Sequence, residues 1–136
     1  MGLEIFEQLD WELPDVIVYP TGGGTGILGI WKACQELLAL GCVTGTPPRM
    51  IAVQSEGTDP LVKAIKSGAE DSEPAEAGET VATGLNVTYG IGHKRVLEML
   101  RASGGTAVTV GEAAIREEMD RRPAISPEGA ACMAVC

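Results

Sequence analysis

A chain of 136 residues has room for one domain with a real core and not for two ordinary domains joined by a linker. Apolar residues make up 45% and charged ones 21%, and the mean hydropathy is mildly positive, the balance of a compact folded protein rather than a disordered one. The net charge of −9 argues against nucleic acid as a partner, because binding a phosphate backbone needs clustered Lys and Arg and the sequence has no such cluster.

Leu3 to Leu9 predicts a short helix, closed by the break at Leu13-Pro14. Asp15-Val16-Ile17-Val18-Tyr19-Pro20 is a continuous apolar run of the kind buried on both faces of a parallel sheet. Thr21-Gly22-Gly23-Gly24-Thr25-Gly26 follows, and then Ile27, Ile30, Trp31, Cys34, Leu37, Leu38 and Ala39 recur at helical spacing until Gly41 stops them. After the turn-rich Thr44 to Pro48, Met50-Ile51-Ala52-Val53 reads as a second buried strand, which completes a strand, glycine loop, helix, strand crossover.

Pro60 to Lys66 predicts a further short helix. Ser67 to Thr80 carries Glu70, Asp71, Glu73, Glu76 and Glu79 among small residues and reads as a solvated acidic surface loop, residues 67–80. Ile91 to Ala102 predicts a helix, Thr106 to Val110 a third strand, Glu112 to Met119 a helix, Ala124-Ile125-Ser126 a fourth strand, and Gly129 onward a last helix. His93, the lone histidine, is expected at the surface or as a helix cap. Glu98 with Arg101 and Glu112 with Arg116 are ordinary helix-face pairs. The alternation, without internal repeats, predicts an α/β fold with a Rossmann-like, mostly parallel sheet.

Cysteines at 34, 42, 132 and 136 fit neither a zinc pattern nor a disulfide framework, and no metal site is expected. Cys34 is expected to be a buried free thiol. With no signal-like stretch and no apolar run of spanning length, no membrane partner is expected and the cytoplasm is the expected compartment.

The glycine loop carries the chemistry. Three consecutive glycines relax the limits on φ and let a ligand touch bare main chain. Because the loop opens a helix, its amides and the positive end of the helix dipole favour a phosphate dianion, with Thr21 and Thr25 offering hydroxyl donors. Nucleoside triphosphate does not fit, because no Gly-Lys-Ser/Thr closes the loop. A dinucleotide fingerprint fits formally through Gly24, Gly26 and Gly29, with Glu56 ending the next strand, so an NAD-type binding domain stays open.

The string Ile17-Val18-Tyr19-Pro20-Thr21-Gly22-Gly23-Gly24-Thr25-Gly26, with Gly29-Ile30-Trp31-Lys32-Ala33 after it, resembles the phosphate-loop region of the threonine synthases. Arg49 to Gly57, Asp59-Pro60, Thr83-Gly84-Leu85, Ser103 to Val108 and Pro127 to Ala131 recur in that family's order, so the resemblance covers essentially the whole chain. It implies the type II pyridoxal-phosphate fold, with residues 1–136 as part of the large, cofactor-binding domain and with pyridoxal 5′-phosphate as cofactor. It also implies a lyase that converts O-phosphohomoserine and water to threonine and phosphate, and a homodimer for the complete enzyme. Thr21, Gly22, Gly23, Gly24, Thr25 and Gly26 should hold the cofactor phosphate and Gly84 should lie near its ring. Glu56 matches a cation position of related dehydratases but reads here as a hydrogen-bonding acid at a strand end, and Glu128 as a residue that fixes a loop.

The resemblance also implies what is missing. The family's Schiff-base lysine lies in a Ser-Phe-Lys-Asp stretch well before the phosphate loop, and Lys32, Lys63, Lys66 and Lys94 have no such context. No catalytic residue is therefore expected in this chain, which reads as a fragment inactive alone and, with a sheet edge and core uncovered, poorly soluble. Met1 to Glu4 resembles an internal segment of the family, and the stretch from Met119 to Ser126 is shorter than its counterpart. Another type II enzyme acting on an amino acid, such as a threonine dehydratase or cysteate synthase, is the nearest alternative. A non-catalytic remnant is a further one.

Overall fold

The computed structural model describes all residues, 1–136. In chain order the elements are α1 (Gly2–Gln8), β1 (Val16–Pro20), α2 (Thr25–Ala39), β2 (Arg49–Ser55), α3 (Pro60–Ser67), a 3-10 turn (Thr83–Leu85), α4 (His93–Ala102), β3 (Thr106–Val110), α5 (Glu112–Arg121) and α6 (Pro127–Met133). The three strands form one parallel sheet in the order β1-β2-β3. Tyr19 lies opposite Ala52 and Ala52 opposite Ala107.

The central position of β2 follows from its composition. Met50, Ala52, Val53, Gln54 and Ser55 are all buried, whereas β1 is only partly covered along its length. A strand that is apolar on both sides needs a layer on each. One layer is built on Phe6 of α1, Ile27, Ile30, Cys34 and Leu37 of α2, Leu61 of α3 and Val96, Leu97 and Leu100 of α4, packed with Met50 and Ala52. The opposite layer gathers Val53, Leu85, Val110, Ile115 of α5 and Ala130 and Ala131 of α6. The α/β reading of the sequence is borne out. No helix is long and apolar enough to cross a membrane.

Helix α2 stops where expected. Leu40 caps it and Gly41 takes φ +70°, which lets the Cys42 amide return to the Leu37 carbonyl at 2.9 Å. Cys34 is fully buried and free, as predicted, and Glu112 pairs with Arg116 at 3.0 Å.

Three expectations fail for physical reasons. Residues 124–126 form no fourth strand: Ser126 caps α6, its Oγ accepting from the Gly129 amide at 3.1 Å, and Pro127, which has no N–H to satisfy, opens the helix. The last helix therefore begins before Gly129 and ends at Met133. Arg101 does not pair with Glu98 but donates to the Ala69 carbonyl, a main-chain acceptor brought alongside it by the preceding crossover.

The acidic stretch keeps Glu70, Glu73, Glu76 and Glu79 in solvent, yet its backbone is tied down. The Ala75 amide donates to the Thr88 carbonyl at 2.9 Å, the Gly78 amide to Thr58 Oγ1 at 2.9 Å, and Asn86 Nδ2 to the Gly78 carbonyl at 3.0 Å. Ser72, in its midst, is buried.

Ile30 is fully buried in the larger core, so Ile30→Ala should cost about 3 kcal/mol of unfolding free energy in a urea titration. Leu40→Ala, at a residue 76% exposed, should stay within about 0.5 kcal/mol. Equal effects at the two positions would contradict the packing described.

Burial raises the Cys34 thiol above its ordinary value. Burial and then the neighbouring Cys136 push Cys132 up to about 12. A raised thiol pKa leaves the reactive thiolate a small minority at mildly alkaline pH, so alkylation of Cys132 should still be accelerating at about pH 10. A rate that has already levelled off there, followed by mass spectrometry, would refute the shift.

Candidate active site

β1 runs directly into the glycine loop, and α2 leaves it. Thr21 is buried, with its amide donating to the Val53 carbonyl at 2.8 Å and its hydroxyl donating to the Tyr19 carbonyl at 3.0 Å. The expectation that Thr21 offers a hydroxyl donor to a ligand is thus corrected, because its one O–H is already given to the main chain. Its role is to anchor the start of the loop. Thr25 is exposed and its hydroxyl bonds to no protein group, so it retains that capacity.

Beyond Thr21 the main chain changes character. The N–H groups of Gly22, Gly23, Gly24, Thr25, Gly26 and Ile27 have no protein acceptor, and regular helical bonding resumes only with the Leu28 amide on the Gly24 carbonyl at 3.1 Å. Four free amides are normal at a helix start; this run is longer, since the loop itself contributes. Gly24 enables the turn into α2 with φ +93°, a conformation most side chains resist. No acidic side chain occupies the first turn of α2, so the positive end of its dipole is uncompensated.

While the amides are free, the other side of the loop is backed. Gln54, fully buried at the end of β2, donates from Nε2 to the Thr21 carbonyl at 3.2 Å, and its Oε1 accepts from the Leu61 amide at 2.9 Å. His93 Nε2 lies 2.8 Å from the Gly22 carbonyl. Gly90 and Gly92 approach the Gly23 carbonyl so closely that a Cβ on either would stand 2.7 or 3.0 Å from it. Val96 presses on Gly24, and the Tyr19 hydroxyl occupies the space that a side chain on Gly26 would need. At Gly23, by contrast, an added Cβ would meet nothing within 4 Å. The loop is packed beneath and open above.

The predicted cofactor-binding residues come together. The Gly84 carbonyl lies 2.5 Å from where a Cβ of Gly22 would be, and the Gly84 amide donates to Glu128 Oε1 at 2.9 Å. Glu128 thus fixes a loop, as the sequence indicated, and joins α6 to the site. Glu56 is exposed and its carboxylate makes no hydrogen bond, contrary to the expected bonding acid; only its amide is engaged, with the Val110 carbonyl at 3.0 Å.

His93 is the largest correction. It is fully buried rather than at the surface, with Nδ1 2.7 Å from Ser72 Oγ and Tyr89 packed edge-on at a centroid distance of 5.9 Å. The sequence reading missed both His93 and Gln54 as supports of the loop. The signals were faint: a histidine opening a helix after Gly90-Ile91-Gly92, and a glutamine ending an otherwise apolar strand.

The model of one family, the pyridoxal-phosphate dependent enzymes, matches residues 1–136. The chain belongs to that family. It is 39% identical to the threonine synthase of Methanosarcina acetivorans over 138 residues, covering 99% of this chain and 34% of that protein. With the threonine synthase of Methanocaldococcus jannaschii it shares 32% identity over 117 residues, 86% of this chain and 29% of the other. The chain therefore spans about a third of these relatives. Among solved structures, maize serine racemase superposes with a TM-score of 0.72 at 25% identity over 98% of this chain and 39% of that one. A threonine deaminase from T.th. gives 0.70 at 26% identity over 98% of this chain and 48% of its own. These are type II pyridoxal-phosphate enzymes, and the fold of this chain is theirs.

Replacing Gln54 by Leu keeps much of its volume but leaves the Thr21 carbonyl and Leu61 amide buried without partners, at about 1–3 kcal/mol for each stranded group. Gln54→Leu should lower the unfolding free energy by about 3 kcal/mol in urea. A loss below about 0.5 kcal/mol would show that Gln54 does not bear on the loop.

Proposed function

We propose that residues 1–136 form part of the cofactor-binding domain of a threonine synthase-like lyase, with Gly22, Gly23, Gly24, Thr25 and Gly26 holding the phosphate of pyridoxal 5′-phosphate. Thr21 sets the loop's origin and Gly84 lies beside the cofactor ring. The observation that carries the reading is the run of unpaired amides from Gly22 to Ile27 at the start of α2, backed on its far side by buried donors. A dianion there gains several N–H donors and the helix dipole at once.

Pyridoxal phosphate fits these residues. The open space over Gly23 admits a phosphoryl group to main-chain distance, and the absence of a Cβ on Gly22 lets the Gly84 strip close against the loop. When bound, the cofactor supplies the electron sink that the chemistry of amino-acid carbanions requires. The work of this chain is binding and orientation. The loop amides fix the phosphate, Glu128 holds the Gly84 amide in place, and the Thr25 hydroxyl is free to donate.

The proposed reaction is conversion of O-phosphohomoserine and water to threonine and phosphate, supported by the identity to threonine synthases over nearly the whole of this chain. None of the four lysines has the expected Schiff-base context; Lys32 and Lys63 are exposed and paired with Glu36 and Asp59 at 3.2 and 2.9 Å. We therefore expect this chain to bind the cofactor without turning over substrate by itself.

The test is a fluorescence titration of the 136-residue chain with pyridoxal 5′-phosphate and, separately, with pyridoxal. Saturable binding of the phosphorylated form, displaced by inorganic phosphate and weakened at least about tenfold by Gly22→Val, supports the reading. Equal affinity for the two forms would place recognition away from the loop and sink it.

A further inference from the structure

We infer that His93 is a positioning residue for the phosphate loop: its Nε2–H, donated to the Gly22 carbonyl, aims the Gly23 amide at the ligand. The inference rests on the cofactor-binding reading above and deepens it. A trans peptide is planar, and its C=O and N–H point in opposite directions. Holding the Gly22 carbonyl inward therefore turns the Gly23 N–H outward, over the open face of the loop, where nothing stands within 4 Å of the site of an added Cβ.

The hydrogen-bond partners determine which ring nitrogen carries the proton. The Gly22 carbonyl can only accept, so Nε2, at 2.8 Å, must donate. The Gly90 amide can only donate, and it points at Nδ1 from 3.3 Å, so Nδ1 accepts. Both ends give the same tautomer, and the Ser72 hydroxyl, 2.7 Å from Nδ1, then donates to it as well. The result is a directed chain from Ser72 Oγ–H through the ring to the Gly22 carbonyl. Donation into Nδ1 strengthens the donor at Nε2, and donation into the Gly22 carbonyl strengthens the Gly23 amide on the same peptide.

Such a device is needed because Gly22, Gly23 and Gly24 have no side chains to restrict them, and three free glycines lose more entropy on ordering than any other residues. Gln54 orients the first peptide of the loop through the Thr21 carbonyl, and His93 orients the second. Ser72 brings the acidic stretch into this arrangement, which explains a buried serine among exposed carboxylates.

The test compares His93→Leu, His93→Gln and His93→Asn in the 136-residue chain. The glutamine amide can reach the place of Nε2 and restore the donor; asparagine reaches only the place of Nδ1. In His93→Leu and His93→Asn the NMR order parameter of the ligand-free Gly23 amide should fall from about 0.85 to below about 0.6. Affinity for pyridoxal 5′-phosphate should drop about tenfold in both, and His93→Gln should bring affinity back to within about threefold and the order parameter to within about 0.1. A purely structural role would not separate glutamine from asparagine, so equal behaviour of these two overturns the inference even if His93→Leu does not fold. Unchanged Gly23 order and affinity in His93→Leu would overturn it as well. If the wild-type chain binds no pyridoxal 5′-phosphate, the cofactor reading falls, and the order parameter alone then decides whether His93 orients the loop.

Discussion

A run of backbone amides serves as an anion site only if the carbonyls between them are held elsewhere. Peptide geometry makes the two demands one: each N–H that faces the ligand has behind it a C=O that faces the protein, and a buried carbonyl without a partner is costly. The features around the glycine loop answer this constraint. Gln54 meets the Thr21 carbonyl and His93 the Gly22 carbonyl, while Gly90 and Gly92 pack against the Gly23 carbonyl without donating to it. The free amides from Gly22 to Ile27 are the counterpart of those anchors.

These anchors come from elements far apart in sequence, and the parallel sheet is what gathers them. β1 and β2 point the same way, so the loop after Pro20 and the residue Gln54 near the end of β2 reach the same carboxyl-terminal end of the sheet. The crossover from β2 to β3 must return across the molecule, and α4 begins its return at that same end, which is why its first residue, His93, lies beneath the loop. On the opposite face α6 brings Glu128 to Gly84. Open parallel sheets bind ligands at the carboxyl ends of their strands for this reason.

The sequence made the frame legible and the anchors mostly not. Hydrophobic period, Gly41 as a helix stop and the unbroken apolar runs located three strands and six helices to within a few residues, because those signals are local. Residues 124–126 misled because Ala-Ile-Ser is apolar enough for a strand, while the Ser126-Pro127 cap that decides the matter costs no apolar character and competes only through hydrogen bonds. The glycine loop stands out in the sequence because a ligand-facing backbone requires small residues in an unbroken run. His93 and Gln54 do not, since a buried polar side chain declares itself only by its partners, and the Ser72 and Gly22 partners of His93 lie 21 and 71 positions away.

A site built from main chain also explains why proteins named for different reactions share this architecture. The structural neighbours are a serine racemase and a threonine deaminase, and the sequence relatives are threonine synthases. Under the proposed reading the loop grips the phosphate, a part of the cofactor that takes no part in the bonds made and broken. Discrimination among substrates needs side chains that meet the substrate's own groups in the transition state, and a backbone cradle at the far end of the cofactor supplies none. The loop and its anchors can therefore stay fixed while the chemistry around the reacting carbon varies, which makes this segment a dependable sign of the cofactor and a poor guide to the substrate.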